Sequence, residues 1–471
     1  MNKQKIHSRI LFSFLVLVSF ALRIYRLNQG LWYDEILTLE KFLRLPWNEI
    51  IISLPLPNNH ILYSLLARLC IVVFGEKEWS VRLPSFMIGG FTPAIAYLVL
   101  RKRFSEFSAF FSGLFLALNF WMVWFSQDAR GYSGMVLFTL LSQIFFLKWM
   151  EQRKARTAMY YLVCSVFACW FHLYSVFVIL AQAAFGFFKW LWQRRAQSAL
   201  IFLLPMLSLF FASLLYVPGA LDLFSYIGKE GRDLGGRWLD LNFLQEVFKL
   251  CAGSHLLWTA LVCFSLAVLG FSRIYKDASE IFWIYLLSVV LLIVFTATLR
   301  VFIYARFLAF LIPVFALALA LGIEGFSHAL FSANIRLKRL AIGFLLIAVS
   351  LSLLISLNRY YRLGKQGLKD AAMYIQANYP LARVISLGLA RNEFLHYYPR
   401  AQPVYGQVQL DPSDISGKLV VASHPWSWAP WNQGMLERFC KKEMVWESAG
   451  YDENVVYLYN CLKSGVDFGA K

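Results

Sequence analysis

The sequence predicts an α-helical polytopic membrane protein of about eleven transmembrane helices with a small extracytoplasmic α/β domain at its C-terminus. Three observations carry that prediction. The 471 residues are 59% hydrophobic and 15% charged, with a mean hydropathy of +0.58, whereas soluble chains carry about 25% charge. Several apolar runs reach 16–20 residues, close to the ~20 needed to cross a bilayer as a helix. After residue 357 the composition turns mixed and polar, with short alternating apolar runs.

The first element is residues 10–27, preceded by MNKQKIHSR. It resembles a signal peptide, but no small-x-small cleavage site follows, so it reads as an uncleaved first span. The remaining spans are expected at 82–100, 107–125, 131–148, 158–171, 174–189, 200–217, 256–271, 281–299, 306–322 and 339–357. Residues 61–74 are apolar but short and interrupted by Arg68. A crossing there would also place the basic 101–103 turn outside, so 45–75 is expected to lie along the outer interface. The two crossings between 158 and 189 share about 32 residues. Each receives ~16, or ~24 Å of helix against a ~30 Å core, so the hairpin tip at 170–175 should lie below the outer surface.

The loops alternate in charge. One set (1–9, 101–106, 148–157, 189–198, 272–280, 322–340) holds 18 Lys/Arg and 5 Asp/Glu. The opposite set (28–81, 125–131, 171–175, 218–255, 300–305) holds 10 Lys/Arg and 12 Asp/Glu. The positive-inside rule then puts the N-terminus in the cytoplasm and the 358–471 tail outside the plasma (inner) membrane, and it accounts for the net charge of +18 without nucleic acid. The first outer loop is 28–81 and the second large one 218–255. In the tail, ARVISLG, KLVVASH and NVVYLYN read as strands and 367–378 as a helix. Of seven cysteines, Cys440 and Cys461 lie in this tail and pair if it faces an oxidising compartment. No CxxC or His/Cys spacing marks a metal site. No internal repeat points to an inverted-repeat transporter, and GxSxG, HExxH and P-loop motifs are absent.

Charge inside the spans is scarce and gathers at their outer ends. Asp34 and Glu35 follow the first span, flanked by Trp32 and Tyr33. They are either a solvated loop pair or a base, the group that glycosyl transfer to a hydroxyl requires as the acceptor attacks the anomeric carbon. Inverting geometry sets that base opposite the leaving group. His60, in NNHILY, is a helix cap or a catalyst, and Arg82 snorkels to head groups or faces a substrate. The link SQDARGYS holds Asp128, Arg130 and Tyr132 at the membrane surface, as a local ion pair or as a binding element. His172 and Tyr174 at the sunken tip bond each other or touch substrate. Arg300 and Arg306, with Tyr304 between, snorkel or clamp a phosphate through their planar forks.

The order of LWYDE, NNHILYSLL, GEKEWSVRLPS, RKRF, SQDARGYS and YARFLAFLIP over roughly residues 8–330 resembles the GT-C glycosyltransferases. More narrowly it is similar to glycosyltransferase family 39, the bacterial relatives of dolichyl-phosphate-mannose protein mannosyltransferases and of the lipid A aminoarabinose transferases. The resemblance implies a polyprenyl-phosphate sugar donor and transfer on the outer face to a lipid, polysaccharide or protein acceptor. It implies the first-loop carboxylate, here Asp34 with Glu35 beside it, as base. Arginines among Arg82, Arg130, Arg300 and Arg306 would then stabilise the leaving phosphate. A divalent cation can bridge the acids to phosphate, but no obligatory cofactor is expected. The competing class is a lipid-linked oligosaccharide flippase or transporter.

Overall fold

The computed structural model describes residues 3–52, 54, 58–194, 196–225, 240–301, 303–405, 410–423, 430–450 and 454–462. The middle of the expected second outer loop, 226–239, lies outside them. The chain divides into two units, Met1–Leu27 with Phe42–Leu357, and Asn28–Lys41 with Asn358–Lys471. The first outer loop is therefore shared: its acidic start clusters with the C-terminal tail and not with the spans that flank it in sequence.

The larger unit is helical. Its first half comprises α1 (Lys3–Ile24), α3 (Trp47–Ile52), α4 (Ile61–Phe74), α5 (Glu78–Leu100), α6 (Glu106–Leu118), α7 (Phe120–Ser126), α8 (Tyr132–Gln152), α9 (Ala155–Phe171), α10 (Val176–Gln193) and α11 (Ala196–Tyr216). The short α2 (Tyr33–Thr38) belongs to the other unit. Longer helices Leu257–Asp277, Ser279–Leu299, Ile312–Leu330 and Ile335–Leu363 follow. Among the described residues nine helices are long and apolar enough to cross a membrane, or ten with α6 and α7 taken as one span. The remaining expected crossing, 158–171, is α9; its 17 residues rise only about 26 Å, short of a ~30 Å core. The apolar 61–74 run forms the 14-residue α4, too short to cross.

The span expected to run straight over 107–125 bends by 61° between α6 and α7. Asn119 sits at the break, its side-chain oxygen accepting the amides of Trp121 (2.9 Å) and Met122 (3.2 Å) at the start of α7. The carbonyls released at the end of α6 need donors, because an unpaired carbonyl in an apolar interior costs several kcal/mol. Arg23, fully buried on α1, supplies them. Its guanidinium donates to the carbonyls of Leu116 and Ala117 (both 3.1 Å), to that of Ser19 (3.1 Å) and to Ser126 Oγ (2.9 Å). A charge inside the first span is thus the partner of a broken helix in another.

Elsewhere the helices approach through glycine. A Cβ on Gly270 would lie 1.6 Å from the Ala318 carbonyl oxygen, and one on Gly322 would lie 1.9 Å from that of Leu266. Helices Leu257–Asp277 and Ile312–Leu330 therefore cross at backbone contact, the small-residue packing typical of lipid-embedded pairs.

The smaller unit holds a five-stranded sheet in the order β2-β1-β3-β5-β4, with β1 Arg383–Gly388, β2 Gln402–Pro403, β3 Lys418–Ser423, β4 Lys441–Trp446 and β5 Val456–Asn460. β1 is parallel to β2 and β3, while β5 runs antiparallel to β3 and β4. The three expected strands are β1, β3 and β5, and the expected helix is Leu368–Asn378. Ile385, Leu387, Val420, Ala422, Leu436 and Tyr459 form the core. Cys440 and Cys461 are joined by a disulfide.

Replacing Arg23 by Met should leave the carbonyls of the α6–α7 bend without their donor, a cost of about 1–3 kcal/mol per unsatisfied group. The expected outcome is a lower thermal midpoint of the detergent-solubilised protein. An unchanged midpoint would mean that the bend does not depend on Arg23.

Candidate active site

Asp34 and Glu35 lie on the six-residue α2, which Trp32 precedes. Both are buried, as is Trp32, so of the two flanking aromatics only Tyr33 keeps exposed surface. Their neighbours come from the segment Gly364–Gly367 and from the residues around 397. Glu35 is fully buried against the equally buried Lys365, Oε1 lying 3.4 Å from Nζ, and its Oε2 accepts the Trp32 amide (3.2 Å). The Tyr33 amide donates to Gln366 Oε1 (2.9 Å), the Leu31 amide to the Tyr397 hydroxyl (2.7 Å), and Gln29 Nε2 to the Tyr360 hydroxyl (2.9 Å). The adjacent acids therefore have different positions. Glu35 is committed at both oxygens, to the Lys365 ammonium and to the Trp32 amide, and so helps to hold the loop.

A second constellation lies in the helical unit. His60 precedes α4, Gln127–Gly131 links α7 to α8, and His172–Ser175 is the α9–α10 tip. Tyr304 precedes a 3-10 turn, Ala305–Leu311, that carries Arg306. The Gly131 amide donates to His60 Nδ1 (2.6 Å). This needs a glycine, because a Cβ there would fall 1.9 Å from the Phe171 carbonyl oxygen. The rings of His60 and His172 are 4.6 Å apart, and Tyr132 lies 4.8 Å from His172 and 5.5 Å from His60. Tyr174 packs on Phe307 at 4.3 Å, and the Arg306 guanidinium sits 4.0 Å from the Tyr304 ring centre. Arg130 is buried and donates to Asn58 Oδ1, while its carbonyl accepts from Ser85 Oγ (2.7 Å). Gln127 ties the link to the end of the first span through the carbonyls of Arg23 and Tyr25, both 2.6 Å.

The electrostatics of this cluster follow from burial beside two guanidiniums. Burial lowers the His60 pKa well below its usual value, and the charges of Arg130 and Arg306 lower it further; His172 is lowered by the same causes. Both imidazoles are thus neutral at pH 7. Each accepts at Nδ1, His172 from the Tyr174 amide (3.3 Å), so each carries its proton on Nε2. His172 Nε2 is buried and takes no hydrogen-bond partner among the described residues. Two arginines with neutral N–H donors make an environment suited to an anion.

The structure thus brings together His60, Arg130, Tyr132, His172, Tyr174, Tyr304 and Arg306. Asp128 is buried in the same link. Arg82 is also fully buried and donates to the Leu27 carbonyl (2.7 Å), tying the end of the first span. Arg300 differs from the half-buried Arg306 in its surroundings. It ends helix Ser279–Leu299 in a left-handed conformation (φ 52°), with its side chain exposed. No group of three or more His, Cys, Asp or Glu positioned for a metal occurs among the described residues. Lys365, Gln366 and Gly131 were not foreseen from sequence. The two glycines bracketing Lys365-Gln366 were the available signal, since they mark a turn without saying what it holds.

Residues 58–216 match the family described as dolichyl-phosphate-mannose-protein mannosyltransferase, about a third of the chain. No curated protein sequence matches. The fold is that of the GT-C glycosyltransferases. ArnT from Cupriavidus metallidurans in the apo state superposes with a TM-score of 0.56 at 12% identity, covering 100% of both chains. ArnT bound to undecaprenyl phosphate gives 0.53 at 11%, covering 98% of this chain and 99% of that one. The archaeal oligosaccharyltransferase AglB from Archaeoglobus fulgidus, in complex with an inhibitory peptide and a dolichol-phosphate, gives 0.54 at 13%, covering 100% of this chain and 76% of that one.

Replacing Lys365 by Met should strand the Glu35 carboxylate in the interior. Breaking one side of a buried pair costs about 3–5 kcal/mol, whereas replacing both partners is near neutral. A large drop in thermal midpoint is expected for Lys365→Met, with most of it recovered in Lys365→Met/Glu35→Gln. Equal midpoints for the single variant and wild type would show that the pair does not hold the loop.

Proposed function

We propose that this chain is a membrane glycosyltransferase that moves a sugar, hexose or pentose, from a polyprenyl-phosphate donor to an acceptor hydroxyl at the outer face of the membrane. The observation that carries the reading is the buried cluster in which Arg130 and Arg306 surround two neutral imidazoles, in a chain of GT-C fold. Such a cluster suits the phosphate of a lipid-linked donor. The undecaprenyl phosphate held by ArnT and the dolichol-phosphate held by AglB support the same donor class.

In this reaction the acceptor hydroxyl loses its proton to the Asp34 carboxylate as its oxygen attacks the anomeric carbon. The bond from that carbon to the phosphate oxygen breaks, with inversion. The departing phosphate gains negative charge, which the guanidiniums of Arg130 and Arg306 and the Nε2–H of His172 would stabilise. Donors that meet charge only as it develops lower the barrier more than they tighten ground-state binding. Tyr33, Tyr132, Tyr174 and Tyr304 supply aromatic surface of the kind sugars pack against. Acceptors of lipid, polysaccharide or protein type all present the required hydroxyl. A divalent cation is not required to neutralise a monophosphate beside two arginines, so chelation should leave the rate unchanged.

The test is transfer of radiolabelled sugar from a polyprenyl-phosphate sugar in membranes. Asp34→Asn should lower turnover by ~10²-fold or more while the protein inserts at normal abundance. Arg306→Lys keeps the charge but loses the planar fork and should cost roughly 1–3 kcal/mol of transition-state stabilisation. Arg300→Lys should behave as wild type. Label that crosses the membrane without being transferred would instead support a flippase.

The orientation is tested by labelling. With the five free cysteines replaced, a cysteine at Leu381, which is 96% exposed, should react with an impermeant thiol reagent in intact cells. Reaction only after lysis would put the C-terminal unit, and with it Asp34, on the cytoplasmic side.

A further inference from the structure

Asn58 opens the NNHILY stretch that leads into α4 and is half-buried, two positions before His60. Its side-chain oxygen accepts a hydrogen bond from Arg130 Nη2. A guanidinium only donates, so the amide must present its oxygen and not its nitrogen to Arg130. The stretch that delivers Asn58 is itself held. Asn59 is buried, donating Nδ2 to the Ile50 carbonyl (2.8 Å) and accepting at Oδ1 from Ser64 Oγ in the first turn of α4 (2.8 Å). His60 accepts the Gly131 amide at Nδ1 (2.6 Å). Residues 58 and 60 therefore grip adjacent residues of the link between α7 and α8, one at the Arg130 side chain and the other at the Gly131 backbone.

Arg130 is buried and fixed at both ends. Its carbonyl accepts Ser85 Oγ from α5 (2.7 Å). That bond sets where the side chain starts, and Asn58 sets where its forked end points. An arginine side chain is long and rich in rotamers. A partner that removes this freedom before an anion arrives lets the anion meet donors already aimed. The kind of partner matters as much as its place. A carboxylate at position 58 would orient the fork equally well, but it would offset the guanidinium charge and repel an anion. A neutral amide orients the fork and adds no opposing charge. The other charged and titratable groups of the cluster are Asp128 in the same link, His60, His172 and Arg306.

We propose that Asn58 is a positioning residue for the donor phosphate: it aims the Arg130 guanidinium through an uncharged acceptor, so that the fork is ordered without its positive charge being offset at that contact. The inference rests on the polyprenyl-phosphate donor reading above. It adds no group to the chemistry. The bonds made and broken at the anomeric carbon are unchanged, and Asn58 acts through Arg130.

The test is binding of undecaprenyl phosphate to the detergent-solubilised, full-length protein. Asn58→Asp is nearly isosteric and keeps an acceptor oxygen in place. It should weaken binding about tenfold or more at pH 8. The ratio of variant to wild-type affinity should return toward one as the pH falls and the introduced carboxyl takes up its proton. The ratio cancels the titration of the phosphate, which both proteins share. A ratio of one at pH 8 overturns the proposal. So does a loss of the same size at every pH, which would make Asn58 a purely structural part of the loop. A double-variant cycle covers the case in which Asn58→Asp fails to fold. Asn58→Ala should weaken binding roughly threefold to tenfold in the wild-type background and not at all in an Arg130→Gln background. Additive losses would show that Asn58 acts independently of Arg130 and overturn the proposal. A wild type that binds no undecaprenyl phosphate would sink the donor reading and the role of Asn58 with it, whereas wild-type binding indifferent to position 58 removes only the role of Asn58.

Discussion

The buried pair of Glu35 and Lys365 is the constraint on which the first outer loop depends. Each ion would be costly to bury alone, and each is stabilised there by the other. The pair joins residue 35 to residue 365, so a short loop after the first span is held by the unit that begins after the last one. The amides of Leu31 and Tyr33 are taken up by Tyr397 and Gln366, and α2 needs these outside partners. A helix of six residues is not stable by its own hydrogen bonds. Asp34 has a defined position because the residue beside it is anchored.

The helical unit meets a different constraint, that backbone polar groups in an apolar interior find partners within the protein. It breaks one span at Asn119 and satisfies the ends with Arg23 and with Asn119 itself. The same demand shapes the link after that span. Gln127 binds carbonyls at the end of α1, Arg130 is fastened through Asn58 and Ser85, and Gly131 gives its amide to His60. The cationic cluster is thus built on a rigid turn. Its imidazoles stay neutral because further positive charge beside two arginines in a buried setting is unfavourable. Positive charge is then concentrated on the guanidiniums, whose forked geometry suits phosphate oxygens.

Much of this was legible in the sequence. Apolar run lengths and loop charges are local quantities, so the helices, the C-terminal α/β composition and three of its strands followed from them. Two strands were missed: β2 is only Gln402–Pro403, and β4, KKEMVW, is an exposed edge without the apolar alternation that marks a half-buried strand. The bend at Asn119 was hidden because its cause, Arg23, lies nearly a hundred residues away. Arg23 lies inside the expected first span, but nothing around it in sequence says what it binds. His60, Arg130, His172 and Arg306 were each identifiable as chemistry-bearing residues, whereas Arg300 matched Arg306 in sequence and differs from it in backbone conformation and exposure.

The sequence by itself determined the class of protein, the order of its helices and the residue types able to serve as base and phosphate clamp, because hydrophobicity, charge and side-chain chemistry are properties of residues. Only the tertiary structure decided that Lys365 comes to Glu35 in the first loop, and that four separated segments share one cationic cluster. Those outcomes depend on which distant groups are brought within a few ångströms of one another, and no local pattern encodes that distance.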